Sequence, residues 1–172
     1  TGDYTDYVYD QTGRQTSVQG TAFTDYNGHW AQPVTDEYYD GLNNLTRTVQ
    51  EGNNTIGNPD RVTTYTYGAG GRLASVTDAS GFTTNYAYDA DGRVVKTSYN
   101  RLKSDGTTVT EAQATRYDAL GRAVFQAAAT YNGTSWAFGD QTQVQYDTYG
   151  EVTARGVNGL WQQTYSYDSG GR

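Results

Sequence analysis

The chain has no cysteine and no methionine, and only two prolines among its 172 residues. Without cysteine there is no disulfide framework and no thiolate metal site. With so little proline, long strands can run uninterrupted. No apolar run reaches the length of a membrane-spanning helix, and no signal peptide is visible. Basic residues are outnumbered, 12 Lys and Arg against 19 Asp and Glu, for a net charge of −7. That balance disfavours nucleic acid, which is bound through clustered Lys and Arg. The acids are scattered, so they form no acidic tail.

Aliphatic residues are scarce too, with six Leu and one Ile, whereas Tyr occurs 17 times and Gly 21 times. Tyr, Thr and Val suit strands, and Gly with Asn suits turns. The composition therefore predicts an all-β chain with two wetted faces rather than a compact domain around an aliphatic core. Disorder competes for so polar a chain, but the dense aromatics and regularly spaced turns argue against it.

One stretch, Y-D-x-x-G-R, recurs. It reads YDQTGR (9–14), YDADGR (88–93), YDALGR (117–122) and YDSGGR (167–172), with looser copies YDGLNN (39–44), YGAGGR (67–72) and YDTYGE (146–151). The tyrosines Tyr9, Tyr39, Tyr67, Tyr88, Tyr117, Tyr146 and Tyr167 are spaced 30, 28, 21, 29, 29 and 21 residues apart. The first three spacings and the last three both sum to 79. The chain thus reads as one array over 1–172, with super-repeats at 9–87 and 88–166 and a third beginning at 167.

Between successive copies lies a second turn signal: Asn27-Gly28, Asn53-Asn54, Ser80-Gly81, Asp105-Gly106, Asn132-Gly133 and Asn158-Gly159. Such pairs favour two-residue hairpins in which both central residues have positive φ. Each repeat is then two strands and two turns, an antiparallel meander of roughly 14 strands in all. The best helix candidate, Glu111 to Ala119, is short and suits a strand better.

Within the motif, D-x-x-G reads as a type I turn closed by a left-handed residue in a G1 bulge. Gly13, Gly71, Gly92, Gly121, Gly150 and Gly171 supply that residue; Asn43 replaces it in the second copy. Asp10, Asp40, Asp89, Asp118, Asp147 and Asp168 can accept backbone N–H groups two residues on. Arg14, Arg93, Arg122 and Arg172 face those aspartates as cross-strand pairs. Arg72 meets Gly68 instead, and Glu151 opposes Asp147 with like charge, which should weaken the sixth turn. The motif tyrosines point to the other face, in a stripe with Tyr7, Tyr65, Tyr86 and Tyr165.

Alternative chemistry finds little support. Asp89, Asp91 and Gly92 are similar to the start of a calcium loop, but the twelfth position is Asn100 rather than Glu. His29, the single histidine, lies in a turn with no G-x-S-x-G anywhere in the chain. No acid, base and nucleophile come together, so the chain reads as non-enzymatic, without cofactor or metal. Trp30, Trp136 and Trp161 each follow a turn of the second kind. They could contact a glycan or partner, or pack across strands. Three N-x-T sequons begin at Asn44, Asn53 and Asn132.

The stretch YTYGAGGRLASVTDASGFTTNYAYDADGRV (65–94) resembles the YD repeats of the RHS family, which includes bacterial polymorphic toxins, the C component of toxin complexes and the teneurins. The resemblance runs over the whole chain. It implies a β-sheet spiralling into a shell or tube that in several members encloses a toxic domain, in a secreted or cell-surface bacterial protein. The self-cleavage segment that closes such arrays has no counterpart here. A band of 14 strands spaced about 4.8 Å apart closes to a ring only roughly 21 Å across, too narrow for a folded cargo domain. Three readings follow. The chain is part of a shell wall around a cargo; or a periodic extracellular filament or stalk built of 79-residue units; or a carbohydrate- or receptor-binding surface. Partners are then further YD repeats of the same chain, or identical subunits along the sheet edges, with no nucleic acid and no membrane insertion.

Overall fold

A computed structural model describes residues 3–52 and 57–172. The chain is all-β, with every strand pair antiparallel, and it divides into two compact units, 1–83 and 84–172. The Asn53-Asn54 turn and sequon lie outside the described residues.

The first unit contains β1 (Thr5–Tyr9), β2 (Gln15–Gly20), β3 (Phe23–Thr24), β4 (Trp30–Ala31), β5 (Val34–Tyr39), β6 (Leu45–Gln50), β7 (Arg61–Tyr67) and β8 (Leu73–Thr77). Six of these form a meander in the order β1-β2-β5-β6-β7-β8. The remaining two, β3 and β4, form a separate hairpin, with Thr24 opposite Trp30. This hairpin accounts for the 30-residue first spacing, because β2 pairs directly with β5 and leaves the residues between them to fold aside. Gly20 closes its base, donating its N–H to the Pro33 carbonyl at 2.8 Å.

The second unit contains β9 (Thr83–Tyr88), β10 (Val94–Leu102), β11 (Thr108–Tyr117), β12 (Ala123–Tyr131), β13 (Trp136–Tyr146), β14 (Val152–Val157) and β15 (Leu160–Thr164), paired in chain order. The segment considered for a helix lies on β11 and its turn. Thr115 and Tyr117 sit there as strand residues opposite Gln126 and Ala123.

Neither unit has a core in the usual sense. The buried apolar residues are Val49, Val109, Ala112, Ala127, Ala129 and Ala154, and no large side chain among the described residues is fully buried. Ala112 stands opposite Ala129, and Ala114 opposite Ala127, so small side chains lie flat on one face of β11 and β12. Stability must therefore come from ladders and from contacts between neighbouring turns rather than from a packed aliphatic centre.

The YD turns have the bulged form. The pairing register shifts at or beside the motif tyrosine, between Val8 and Tyr9, Tyr38 and Tyr39, and Arg116 and Tyr117. Most turns of the second kind differ from the two-residue hairpins expected. At Asn27-Gly28, Ser80-Gly81, Asp105-Gly106 and Asn132-Gly133 only the glycine has positive φ. Three of these repeat the YD turn's own hydrogen bonds. Gly28 donates to Asp25, Gly81 to Asp78 and Gly106 to Lys103. Among the described turns of this kind only Asn158-Gly159, with φ of 53° and 82°, has two left-handed residues. At two of the others the reason is the residue two before the Asn or Ser: Asp25 and Asp78 accept the turn N–H groups and favour the longer loop.

Candidate functional site: the stitched repeat turns

Six of the seven YD turns carry one aspartate at the same place, and its carboxylate organises the turn. Asp89 Oδ1 accepts the backbone N–H of Asp91 at 3.0 Å and of Arg93 at 2.9 Å, while Oδ2 accepts Arg93 Nε at 2.7 Å. Asp10 and Asp118 repeat this pattern, with Nε distances of 2.6 Å to Arg14 and 2.7 Å to Arg122. In the second copy Asn44 replaces the arginine and its Nδ2 donates to Asp40 at 2.9 Å. Asn43 takes the left-handed position at φ 70°. Asp168 and Arg172 sit farther apart, at 3.6 Å, in an exposed turn.

At Asp10, Asp40, Asp89 and Asp118 these bonds to the ionised form lower the carboxyl pKa. The Thr12 hydroxyl is the largest cause at Asp10, the Asn44 side chain at Asp40, and the Arg122 backbone N–H at Asp118. At Asp89 desolvation pushes upward, but the N–H and guanidinium of Arg93 outweigh it. The third copy lacks the carboxylate. There Gly70 and Gly71 are both left-handed, at φ 75° and 71°, so the loop without an aspartate takes a different path.

The arginine does more than clamp its own turn. Its Nη1 continues to the next turn, where it meets the backbone carbonyl of that turn's aspartate. Arg14 reaches Asp40 at 3.4 Å, Arg93 reaches Asp118 at 3.3 Å, and Arg122 reaches Asp147 at 3.4 Å. The same guanidinium lies against the next motif tyrosine: Arg14 is 4.9 Å from the ring centre of Tyr39, Arg93 is 5.1 Å from Tyr117, and Arg122 is 4.4 Å from Tyr146.

The tyrosine answers in the other direction. Tyr67 Oη donates to the Leu45 carbonyl at 2.8 Å, Tyr117 to Val94 at 3.2 Å, and Tyr167 to Val152 at 2.8 Å. Each acceptor is the residue just after the preceding motif. In the second copy Tyr39 instead donates to Glu37, which also accepts from Gln15, so a carboxylate relays the same contact. Tyr39, Tyr67, Tyr88, Tyr117 and Tyr146 are half-buried, whereas Tyr9 and Tyr167 are exposed. The structure thus brings Arg and Tyr of successive motifs together, a lateral stitch that motif spacing alone did not reveal.

The remaining candidates do not gather. Trp136 stacks at a tilt against Tyr131, ring centres 5.1 Å apart, with the Lys96 ammonium 5.8 Å from its ring. Trp161 stands opposite Gly156 on another level of the same unit. Trp30 is on the side hairpin. His29 occupies the arginine position of a YD-like turn, its Nδ1 3.3 Å from Asp25 Oδ2. That hairpin, D-Y-N-G-H, is a further copy of the turn that the spacing of tyrosines concealed; the signal that could have found it is D-x-x-G with a cation next. Among the described residues no group of three or more His, Asp or Glu could hold a metal ion.

The RHS Repeat family model matches residues 39–83 and 69–113. No curated protein matches the chain. Among solved structures, the chain is similar to the crystal structure of TcdB2-TccC3-TEV, at 16% identity and a TM-score of 0.38. It is also similar to that of TcdB2-TccC3 without its hypervariable C-terminal region, at 16% identity and a TM-score of 0.39. In both cases 98% of this chain is covered, and it spans 12% of the matched chain.

Proposed function

We propose that this chain of RHS repeats is a structural, non-enzymatic segment of wall, part of a shell that encloses a cargo or toxin domain. The observation that carries the reading is the lateral stitch. Arg14, Arg93 and Arg122 each bond the aspartate of their own turn and reach the next turn, so these charged groups serve the architecture. The same stitches extend the wall: β1 is exposed along its length and would pair with further YD repeats, in the same chain or in an identical subunit. The setting proposed is secreted or cell-surface and bacterial.

A second reading, a filament of 79-residue modules, is favoured by one observation. The boundary between compact units falls at Thr83 and Thr84, close to the start of the second super-repeat at Tyr88. Small-angle scattering of the intact protein separates the two. A hollow-particle profile supports the shell. An elongated rod with an axial repeat overturns it in favour of the filament.

A further inference from the structure

The sixth turn carries Glu151 where five of its six siblings carry arginine, and the carboxylate occupies the arginine's place. Nη1 of Arg93 and of Arg122 lie 3.4 and 3.5 Å from where a Cβ on Gly121 and on Gly150 would stand, against the left-handed residue of the next turn. Glu151 Oε1 lies 2.7 Å from the corresponding point on Gly171. The side chain therefore spans the joint between the sixth and seventh turns, with its charge reversed.

Its neighbours are few. From its own turn comes the Asp147 carboxylate, which already accepts the N–H groups of Tyr149 and Glu151. From the seventh turn come Asp168 and Arg172, flanking Gly170 and Gly171. From the fifth turn Arg122 is directed at the Asp147 carbonyl and the Tyr146 ring. The Tyr167 hydroxyl still donates to Val152, so one half of the stitch survives and the arginine half is lost.

We propose that this joint is an acid-closing seam: protonated Glu151 donates a hydrogen bond to Asp147 and seats against Gly171, whereas ionised Glu151 repels Asp147 and loosens the seventh turn. Desolvation and then the Asp147 charge raise the Glu151 pKa above its ordinary 4.5. A carboxyl raised on folding contributes stability that is fully present below its unfolded pKa and is lost as pH rises through the folded value. Asp89 and Asp118 are shifted the other way, by the bonds they accept from Arg93 and Arg122, so the seam opens above the range in which those two clamps are lost.

Hydrogen exchange on the intact protein tests this, read as protection factors for the amides of β14, β15 and residues 165–172. Wild-type protection should fall from mildly acid to neutral pH, by about tenfold for each unit by which the folded pKa exceeds the unfolded one. Glu151→Gln should hold the acid value at both pH values, and Glu151→Arg should protect the seventh turn at both. Equal pH ratios in wild type and Glu151→Gln overturn the proposal. So does a Glu151→Gln protein that is as open at acid pH as wild type is at neutral pH.

Discussion

The guanidinium of Arg93 lies 5.1 Å from the ring centre of Tyr117, 24 residues on, and the Tyr117 hydroxyl returns a hydrogen bond to Val94, the residue after that arginine. Two turns are thereby joined by contacts running both ways. A sheet with little buried aliphatic surface gains lateral cohesion at its turns from this exchange.

If the tyrosine hydroxyl is a stitch, removing it alone should weaken the array. Tyr67→Phe and Tyr117→Phe should each cost about 1 kcal/mol, the net worth of one hydrogen bond. Tyr149, at an exposed turn tip, is the control, and Tyr149→Phe should leave the denaturation midpoint unchanged. Urea unfolding of the three variants checks this.

Gly13 has φ of 84°, and no atom lies within 4 Å of where a Cβ would stand, so its replacement is a purely conformational test. Gly13→Ala should cost about 1–2 kcal/mol, the ordinary penalty for a left-handed residue with a Cβ. Gly13→Asn should cost less, because Asn43 already holds this position in the second turn. Thermal melts of the pair decide it.

Charge alone does not make the clamp. Arg93→Lys keeps the positive charge but loses the planar fork that engages Asp89 through Nε and Asp118 through Nη1. It should lower the melting temperature nearly as far as Arg93→Ala. Asp91, whose side chain is 70% exposed beside Arg93, should be replaceable by Ala without measurable loss.

The motif aspartates set the acid limit. Asp40, Asp89 and Asp118 have folded pKa values below 3.8, so their contribution is present above that value and is lost as pH falls through the lowered ones. Asp118→Asn should lower stability at neutral pH and flatten the acid slope. Melting temperatures followed into acid measure both effects.

What the sequence made legible was local. The D-x-x-G turn closes its hydrogen bonds within five residues, so its left-handed glycine and its Asp–Arg contact could be read from one copy and tested against the others. The second kind of turn was misread because Asn-Gly drew attention, while the deciding residue, such as Asp25, stood two positions earlier. The stitch from Arg93 to Asp118 joins residues 25 apart, and no local rule places those two side by side. Nor did the composition foretell the side hairpin of β3 and β4, whose exit depends on how β2 and β5 pair.

The central claim is that these turns knit a wall around a space. An electron cryo-microscopy reconstruction of the intact protein tests it most directly. The account predicts a hollow particle with residues 1–172 in its wall, motif arginines engaged with the next turn and motif tyrosines with the preceding one, and density for a cargo inside. A particle without a lumen, its repeats stacked along a solid axis, would contradict it.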